Sequence, residues 1–126
     1  MTVYVFGNVD VKNDSAAIEA AKKISGISFK IIKPNEDVNF DTKHPVILDV
    51  VKNLDKVTVF DNLKDLSLAK SVTVHDFDLG FQLKYLKKIG VISGATIVGL
   101  PTDKKPSYRR IKLILRKLVA QDMQGS

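Results

Sequence analysis

Asp14, Asp61 and His75 have the side-chain types of metal ligands, and each follows an apolar run that is typical of a β-strand. In an open α/β sheet such strand ends meet at one edge, where ligand sites usually lie. Two carboxylates and an imidazole suit a borderline metal such as nickel or zinc. Since the chain has only two histidines, the position of His75 is informative. We therefore take these three residues as candidate catalytic and metal-binding residues.

Each candidate also has an ordinary structural interpretation. Asp14 is a helix N-cap by type, Asp61 suits a turn, and His75 suits a surface position. Their combination favours a site, because a parallel sheet would bring the ends of the first and third predicted strands together. Asp76 or Asp78 would then orient the imidazole through its second nitrogen. Asn8, in the tight turn after the first strand, is a further candidate beside the site.

Composition limits the class of protein. The chain has 126 residues, 44% of them hydrophobic and 27% charged, as expected for one globular domain. We assign residues 1–121 to this domain and residues 122–126 to a flexible tail or an expression remnant. No apolar stretch approaches the roughly 18 residues of a membrane span, and the N-terminus lacks signal-peptide features, so we expect a cytoplasmic protein. The absence of cysteine excludes disulfides and thiolate chemistry.

The formal net charge of +6 raises the question of an anionic partner. The lysines and arginines are spread along the sequence, and most fall on the polar faces of predicted helices. This pattern favours an ordinary solvated surface over a nucleic-acid site. An acidic protein partner remains an open alternative.

Hydrophobic periodicity predicts an alternation of strands and helices. Proline at position 45 suits a first helical turn, and the apolar residues that follow it repeat on one helical face, although their β-branched types leave the propensity ambiguous. The predicted strands are residues 2–6, 28–33, 56–60, 71–74 and 95–100; the predicted helices are residues 15–24, about 45–54, 78–89 and 107–121.

This order predicts a three-layer α/β/α sandwich with a mostly parallel five-stranded sheet. The link from residue 62 to residue 70 is too short for a parallel crossover. The strand at 71–74 is therefore expected to be antiparallel and at an edge.

Several motifs occur together along the chain. Gly7-Asn8 follows the first strand, Asp14 begins the first helix, and a hydrophobic run ends at Asp61. His75 precedes an acidic, leucine-containing helix start, and a late strand ends in Gly99-Leu100-Pro101. From Thr2 to about Pro101 this pattern resembles the hydrogenase maturation proteases, nickel-dependent endopeptidases that trim [NiFe]-hydrogenase large subunits. Asp14 stands where that family usually has glutamate.

The resemblance implies a specific activity. The chain would bind a nickel-loaded [NiFe]-hydrogenase large-subunit precursor and remove its C-terminal extension by metal-assisted hydrolysis. The nickel would come with the substrate, so no permanent cofactor is expected. Asp14, Asp61 and His75 would complete the coordination of that nickel.

Two alternatives stay open from the sequence. A flavodoxin-like receiver or nucleotide-binding module would place its acceptor acid where Asp61 stands, although the acidic pair expected after the first strand is missing. A non-catalytic protein-binding domain of the same fold is the other alternative, since a fold does not determine a function.

Overall fold

In the computed structural model, the described residues are 2–6, 16–32, 39–51, 54–61, 79–101 and 105–125. These ranges contain five strands and three helices. The strands are β1 (Thr2–Phe6), β2 (Ser28–Ile32), β3 (Val46–Val50), β4 (Thr58–Phe60) and β5 (Thr96–Leu100), and the helices are α1 (Ala16–Lys23), α2 (Leu79–Lys88) and α3 (Tyr108–Gly125).

The five strands form one mixed sheet in the order β2-β1-β3-β5-β4. The pairs β1–β2, β1–β3 and β3–β5 are parallel, and β4 pairs with β5 in the antiparallel direction. β3 and β5 are buried along their whole length. This explains their continuous apolar sequences, which are typical of parallel strands covered on both faces. The predicted α/β sandwich with a mostly parallel sheet and one antiparallel strand is confirmed.

Each face of the sheet has its own hydrophobic core. On one face, which we call the α1/α3 face, apolar residues of α1 and α3 pack against alternate residues of the strands; this core includes Val3, Leu48, Val98, Ile18 and Ile111. On the other, the α2 face, Leu83 of α2 packs with the intervening strand residues; this core includes Tyr4, Ile47 and Ile97. The side-chain period of two along each strand produces this division.

The helix predicted around residues 45–54 is wrong, because residues 46–50 form the central strand β3. Ile47 and Leu48 are both 0% exposed and contact opposite cores, which a strand permits. Pro45 precedes the strand, a position where its missing N–H costs no ladder bond. The β-branched composition was the correct signal, and the apparent helical period was misleading.

Other predicted elements have mixed outcomes. The predicted strands that correspond to β1, β2 and β5 are confirmed within a few residues. The predicted helices that correspond to α1, α2 and α3 are confirmed in the same way. Ser107 caps α3 as predicted, since its Oγ accepts a hydrogen bond from Arg110 N at 3.3 Å. The strand predicted at 71–74 lies outside the described residues. Residues 122–125, for which a tail was predicted, are helical as part of α3.

Across the described residues, no helix is both long enough and apolar enough to cross a bilayer.

Candidate functional site

The parallel strands define a carboxyl edge of the sheet, and Asp49 lies one residue before the end of its central strand. Asp49 pairs with Gly99 of β5. On its other side β3 pairs with β1, and Val5 is level with Leu48. The next residue of β1, Phe6, is therefore level with Asp49. The end of β1 therefore lies at the same edge as the end of β3. This is where open α/β sheets bind ligands.

Asp49 is a buried carboxylate, with 2% of its surface exposed. Its Oδ1 accepts a hydrogen bond from Val50 N at 2.8 Å. Burying a charged group is costly unless it is hydrogen-bonded or bound to a metal. An ionised carboxylate can accept several bonds, so the bond from Val50 is compatible with metal ligation.

The alternation of β3 directs Asp49 to the α2 face. Val46, Leu48 and Val50 belong to the α1/α3 core, whereas Ile47 and Val51 belong to the α2 core. Asp49, between Leu48 and Val50, therefore projects from the same side as Ile47.

Gly99, the partner of Asp49 in β5, is closely covered on this side. A Cβ atom on Gly99 would lie 3.0 Å from Leu54 Cδ1, 3.1 Å from Phe60 Cε2 and 3.1 Å from Val51 Cγ2. A side chain at this position would require these three apolar groups to shift by a few tenths of an ångström. The glycine thus allows an apolar cover to form directly beside the buried carboxylate.

The structure does not bring Asp61 to this edge. β4 is antiparallel, and Thr58, not Asp61, is level with Gly99 and hence with Asp49. Asp61 follows three residues later, about 10 Å further toward the amino edge at ~3.3 Å per residue. It is exposed. The expectation that its strand ends beside the end of β1 is therefore wrong, because that strand runs in the opposite direction.

The other predicted site residues, Asn8, Asp14, His75, Asp76 and Asp78, lie outside the described residues. Their roles stay predictions.

Two described helices begin shortly after Asp14 and His75 in the sequence. β1 and β2 are parallel, so the chain leaves β1 at the carboxyl edge and α1 returns it to the amino edge; Ala16, two residues after Asp14, begins that return.

The turn that directly follows α2 contacts the amino edge, where Lys43 Nζ donates to Gly90 O at 2.9 Å. Leu79, four residues after His75, lies at the opposite end of this helix. The ten residues of α2 span about 15 Å.

In the described ranges, no three histidine or acidic side chains are grouped closely enough to hold a metal ion. Asp49 is the single described acid at the carboxyl edge that is also buried.

A second polar arrangement is centred on Tyr4, in the middle of β1, and joins it to the segment before β3. The Tyr4 hydroxyl donates to Asp41 Oδ1 at 2.8 Å and accepts from Asp41 N at 2.8 Å. The Phe40 ring packs edge-to-face on the Tyr4 ring with centroids 4.8 Å apart. Burial, as the largest cause, raises the pKa of Tyr4 above its ordinary value of 10.0; the Asp41 carboxylate raises it further, and the Asp41 N–H opposes the shift.

His44, to which no chemistry was assigned, has a structural role at the amino edge of the sheet. Its Nε2 is hydrogen-bonded to Thr96 Oγ1 at 2.9 Å, and Lys43 O accepts from Ser93 N. These bonds attach the segment before β3 to the segment before β5. They are far from the carboxyl edge and therefore structural.

Asp49 could have been found from its sequence surroundings. It is the one acid within Val46–Val51, a run otherwise made of branched aliphatic residues. Acids are almost never fully buried unless they are paired. Once this run is recognised as a strand, a lone acid near its carboxyl end is a candidate ligand.

Several solved protein structures have a fold similar to that of this chain. The structure of the [NiFe] hydrogenase maturation protease HybD from Thermococcus kodakarensis is 18% identical, with a TM-score of 0.67 over 94% of this chain and 99% of that chain. A hydrogenase 3 maturation protease is 20% identical, with a TM-score of 0.58 over 86% and 77%. The maturation protease HycI from Thermococcus kodakarensis KOD1 is 19% identical, with a TM-score of 0.56 over 95% and 90%.

No protein-family model matches the sequence, and no curated protein matches it. The likeness is thus one of fold. The sheet order also differs from the flavodoxin-like order 2-1-3-4-5 expected for a receiver module. The chain has the fold of the solved hydrogenase maturation proteases.

Proposed function

We propose that this protein is an endopeptidase that removes the C-terminal extension of a nickel-loaded [NiFe]-hydrogenase large-subunit precursor. The observation that carries the proposal is Asp49, a carboxylate buried near the carboxyl end of the central strand in a fold shared with maturation proteases. Ligands of open α/β sheets bind at the carboxyl ends of the strands, which favours a functional reason for an acid in that position.

The proposed nickel-facing residues are Asp14, Asp49 and His75. Asp49 takes the place that the sequence analysis gave to Asp61, because the antiparallel direction of β4 carries Asp61 toward the other edge. Asp14 is tethered to the start of α1, and His75 to the start of α2, by short stretches of chain. Two carboxylates and one imidazole remain the proposed donor set, and they suit nickel. Asp76 or Asp78 is the proposed hydrogen-bond partner of the imidazole.

The proposed reaction is hydrolysis of a peptide bond held near the substrate's nickel. A cation there polarises the scissile carbonyl or lowers the pKa of a bound water. A carboxylate at the edge accepts the proton of the attacking water, a contribution of about 10²–10⁴-fold to the rate. Asp14 and Asp49 are the proposed candidates for this base. The non-catalytic binding domain is the competing function, and it would have the same fold without this step.

The test is cleavage of purified precursor, followed by mass spectrometry of the released C-terminal peptide. We expect the wild-type protein to shorten the nickel-loaded precursor and to leave the nickel-free form intact. Asp49→Asn, which preserves shape, should reduce cleavage by about 10²-fold or more. Asp61→Asn is the matched control and should cleave at the wild-type rate.

Thermal melting of both variants separates lost chemistry from lost folding. If Asp61→Asn abolishes cleavage while folded Asp49→Asn retains it, the assignment of Asp49 is wrong. Equal cleavage of the two precursor forms contradicts recognition through nickel. A wild-type protein that binds the precursor and never shortens it is a binding domain.

A further inference from the structure

The positive charge of the chain is concentrated on the pair of helices α1 and α3. Residues 16–27 and 105–120 contain eight of the 20 lysines and arginines and one of the 14 acids, Glu19. Twelve basic and thirteen acidic residues remain for the rest of the chain. Over α1 and α3 themselves, which exclude Lys105 and include Asp122, seven basic and two acidic residues give +5 of the net charge of +6, although the two helices are far apart in the sequence.

The two helices form one continuous surface. Both pack on the α1/α3 face of the sheet. Lys112 of α3 reaches the turn after α1, where its Nζ lies 3.8 Å from the position of a Cβ on Gly26. The basic side chains that point to solvent are Lys22, Lys23, Lys105, Arg109, Arg110, Arg116 and Lys117.

An apolar side chain lies in the middle of the basic residues of α3. Leu113 is 55% exposed. Helical spacing places Arg109 and Arg110 one turn before it and Arg116 and Lys117 one turn after it. An apolar centre surrounded by a charged rim is the arrangement of protein–protein interfaces, in which arginine is enriched.

The same residues fit a membrane or a nucleic acid less well. The apolar side of α3 is used by the core, since Ile111 and Leu115 are both 0% exposed, so this helix has no second apolar face to insert into lipid. Phosphate binding needs cations alone and would not use Leu113. The Tyr108 ring, which could stack on a base, is half-buried and has Lys105 Nζ 5.7 Å from its centre.

We infer that the outer surface of α1 and α3 is a docking surface for an acidic segment of a partner protein, with Leu113 contacting an apolar side chain between the partner's carboxylates. The positive charge of the surface requires a negatively charged segment in the partner. The exposed Leu113 requires an apolar side chain at the centre of that segment. This surface lies on the α1/α3 face, whereas Asp49 points to the α2 face. The inference does not depend on the proposed peptidase activity.

The test measures fluorescence anisotropy of a labelled peptide in which a leucine is flanked on both sides by glutamates. Arg116→Gln/Lys117→Gln should weaken binding by about tenfold. The matched control, Lys87→Gln/Lys88→Gln on α2, removes the same charge from the other face and should change binding by less than about twofold. Leu113→Ser should weaken binding about fivefold, and Ile89→Ser, a 52% exposed control on the other face, should not.

A labelled DNA duplex and vesicles containing phosphatidylserine are the competing probes. Equal weakening by the two charge pairs would show an effect of net charge and would overturn the docking surface. Tighter binding of DNA or vesicles than of the peptide, unaffected by Leu113→Ser, would overturn the choice of a protein partner. Melting temperatures near the wild-type value are expected for all variants, because each altered side chain is exposed.

Discussion

The Tyr4 hydroxyl links the first strand to the segment that leads into the central strand. Replacing Tyr4 by phenylalanine keeps the ring and its packing on Phe40 but removes both hydrogen bonds to Asp41. We expect Tyr4→Phe to lower the free energy of unfolding by about 1–2 kcal/mol. Urea unfolding at neutral pH checks this value. A loss below the error of the measurement would mean that the pair contributes nothing to stability.

The raised pKa of Tyr4 gives this contribution a pH dependence. Below the ordinary value of 10.0 the hydroxyl is protonated in both the folded and the unfolded chain, and its contribution is fully present. As pH rises past that value the unfolded chain loses the proton first, so the stabilisation declines until the folded pKa is passed. The stability difference between the wild-type protein and Tyr4→Phe should therefore be constant from pH 7 to about pH 9 and should shrink above pH ~10. A difference that grows with pH would contradict the direction of the shift.

The identity of β3 as a strand decides where the core and the site lie. A helix over residues 45–54 would turn Leu48 away from the face formed by Ile47, Val50 and Val51. In the strand, Leu48 is 0% exposed and packs in the α1/α3 core. We expect Leu48→Ala to cost about 2–5 kcal/mol, measured by chemical unfolding. Leu113→Ala, at an exposed leucine, is the control and should cost under about 0.5 kcal/mol.

The close packing of side chains over Gly99 predicts that even a methyl group at this position destabilises the sheet. Gly99→Ala places a Cβ 3.0–3.1 Å from Val51, Leu54 and Phe60, so these groups must move. We expect a loss of about 1–3 kcal/mol in the free energy of unfolding. Combining it with Leu54→Ala, which removes one of the obstructing groups, should recover part of that loss in a double-mutant cycle. Strict additivity of the two substitutions would mean that they do not contact each other.

The sequence predicted elements whose pattern was unambiguous. Continuous apolar strands such as Thr2–Phe6 and helices with clear caps, such as the one after Ser107, were found within a few residues. The run from Val46 to Val51 was misassigned because its apolar spacing fits both periods, and pairing with β1 and β5 decided for the strand.

The misassignment of residues 46–50 as helical led to Asp61, and not Asp49, as the candidate acid. The short link between Val50 and Thr58 is the kind that requires a reversal of direction. With β3 recognised, the same rule that was applied to residues 62–70 would have predicted an antiparallel β4. Asp61 would then have been excluded from the carboxyl edge, and Asp49 would have been left as the acid of the central strand.

The fold brings together basic residues that are far apart in the sequence. Lys22 and Arg116 are 94 positions apart in the numbering, yet their helices pack side by side on one face. Along the sequence the lysines and arginines are dispersed, and no linear pattern indicates which helices share a face. The topology does so, since α1 and α3 cover one side of the sheet and α2 covers the other.

The order of strands across the molecule predicts how protection from hydrogen exchange is distributed. β3 and β5 are hydrogen-bonded on both sides and buried on both faces, whereas β2 and β4 stand at the two ends of the described sheet. Because core strands open only with global unfolding and edges open locally, amides of Val46–Val50 and Thr96–Leu100 should exchange most slowly, and those of Ser28–Ile32 and Thr58–Phe60 faster by at least about tenfold. Exchange followed by NMR resolves these amides individually. Slow exchange in Thr58–Phe60 equal to that in Val46–Val50 would contradict an edge position for β4.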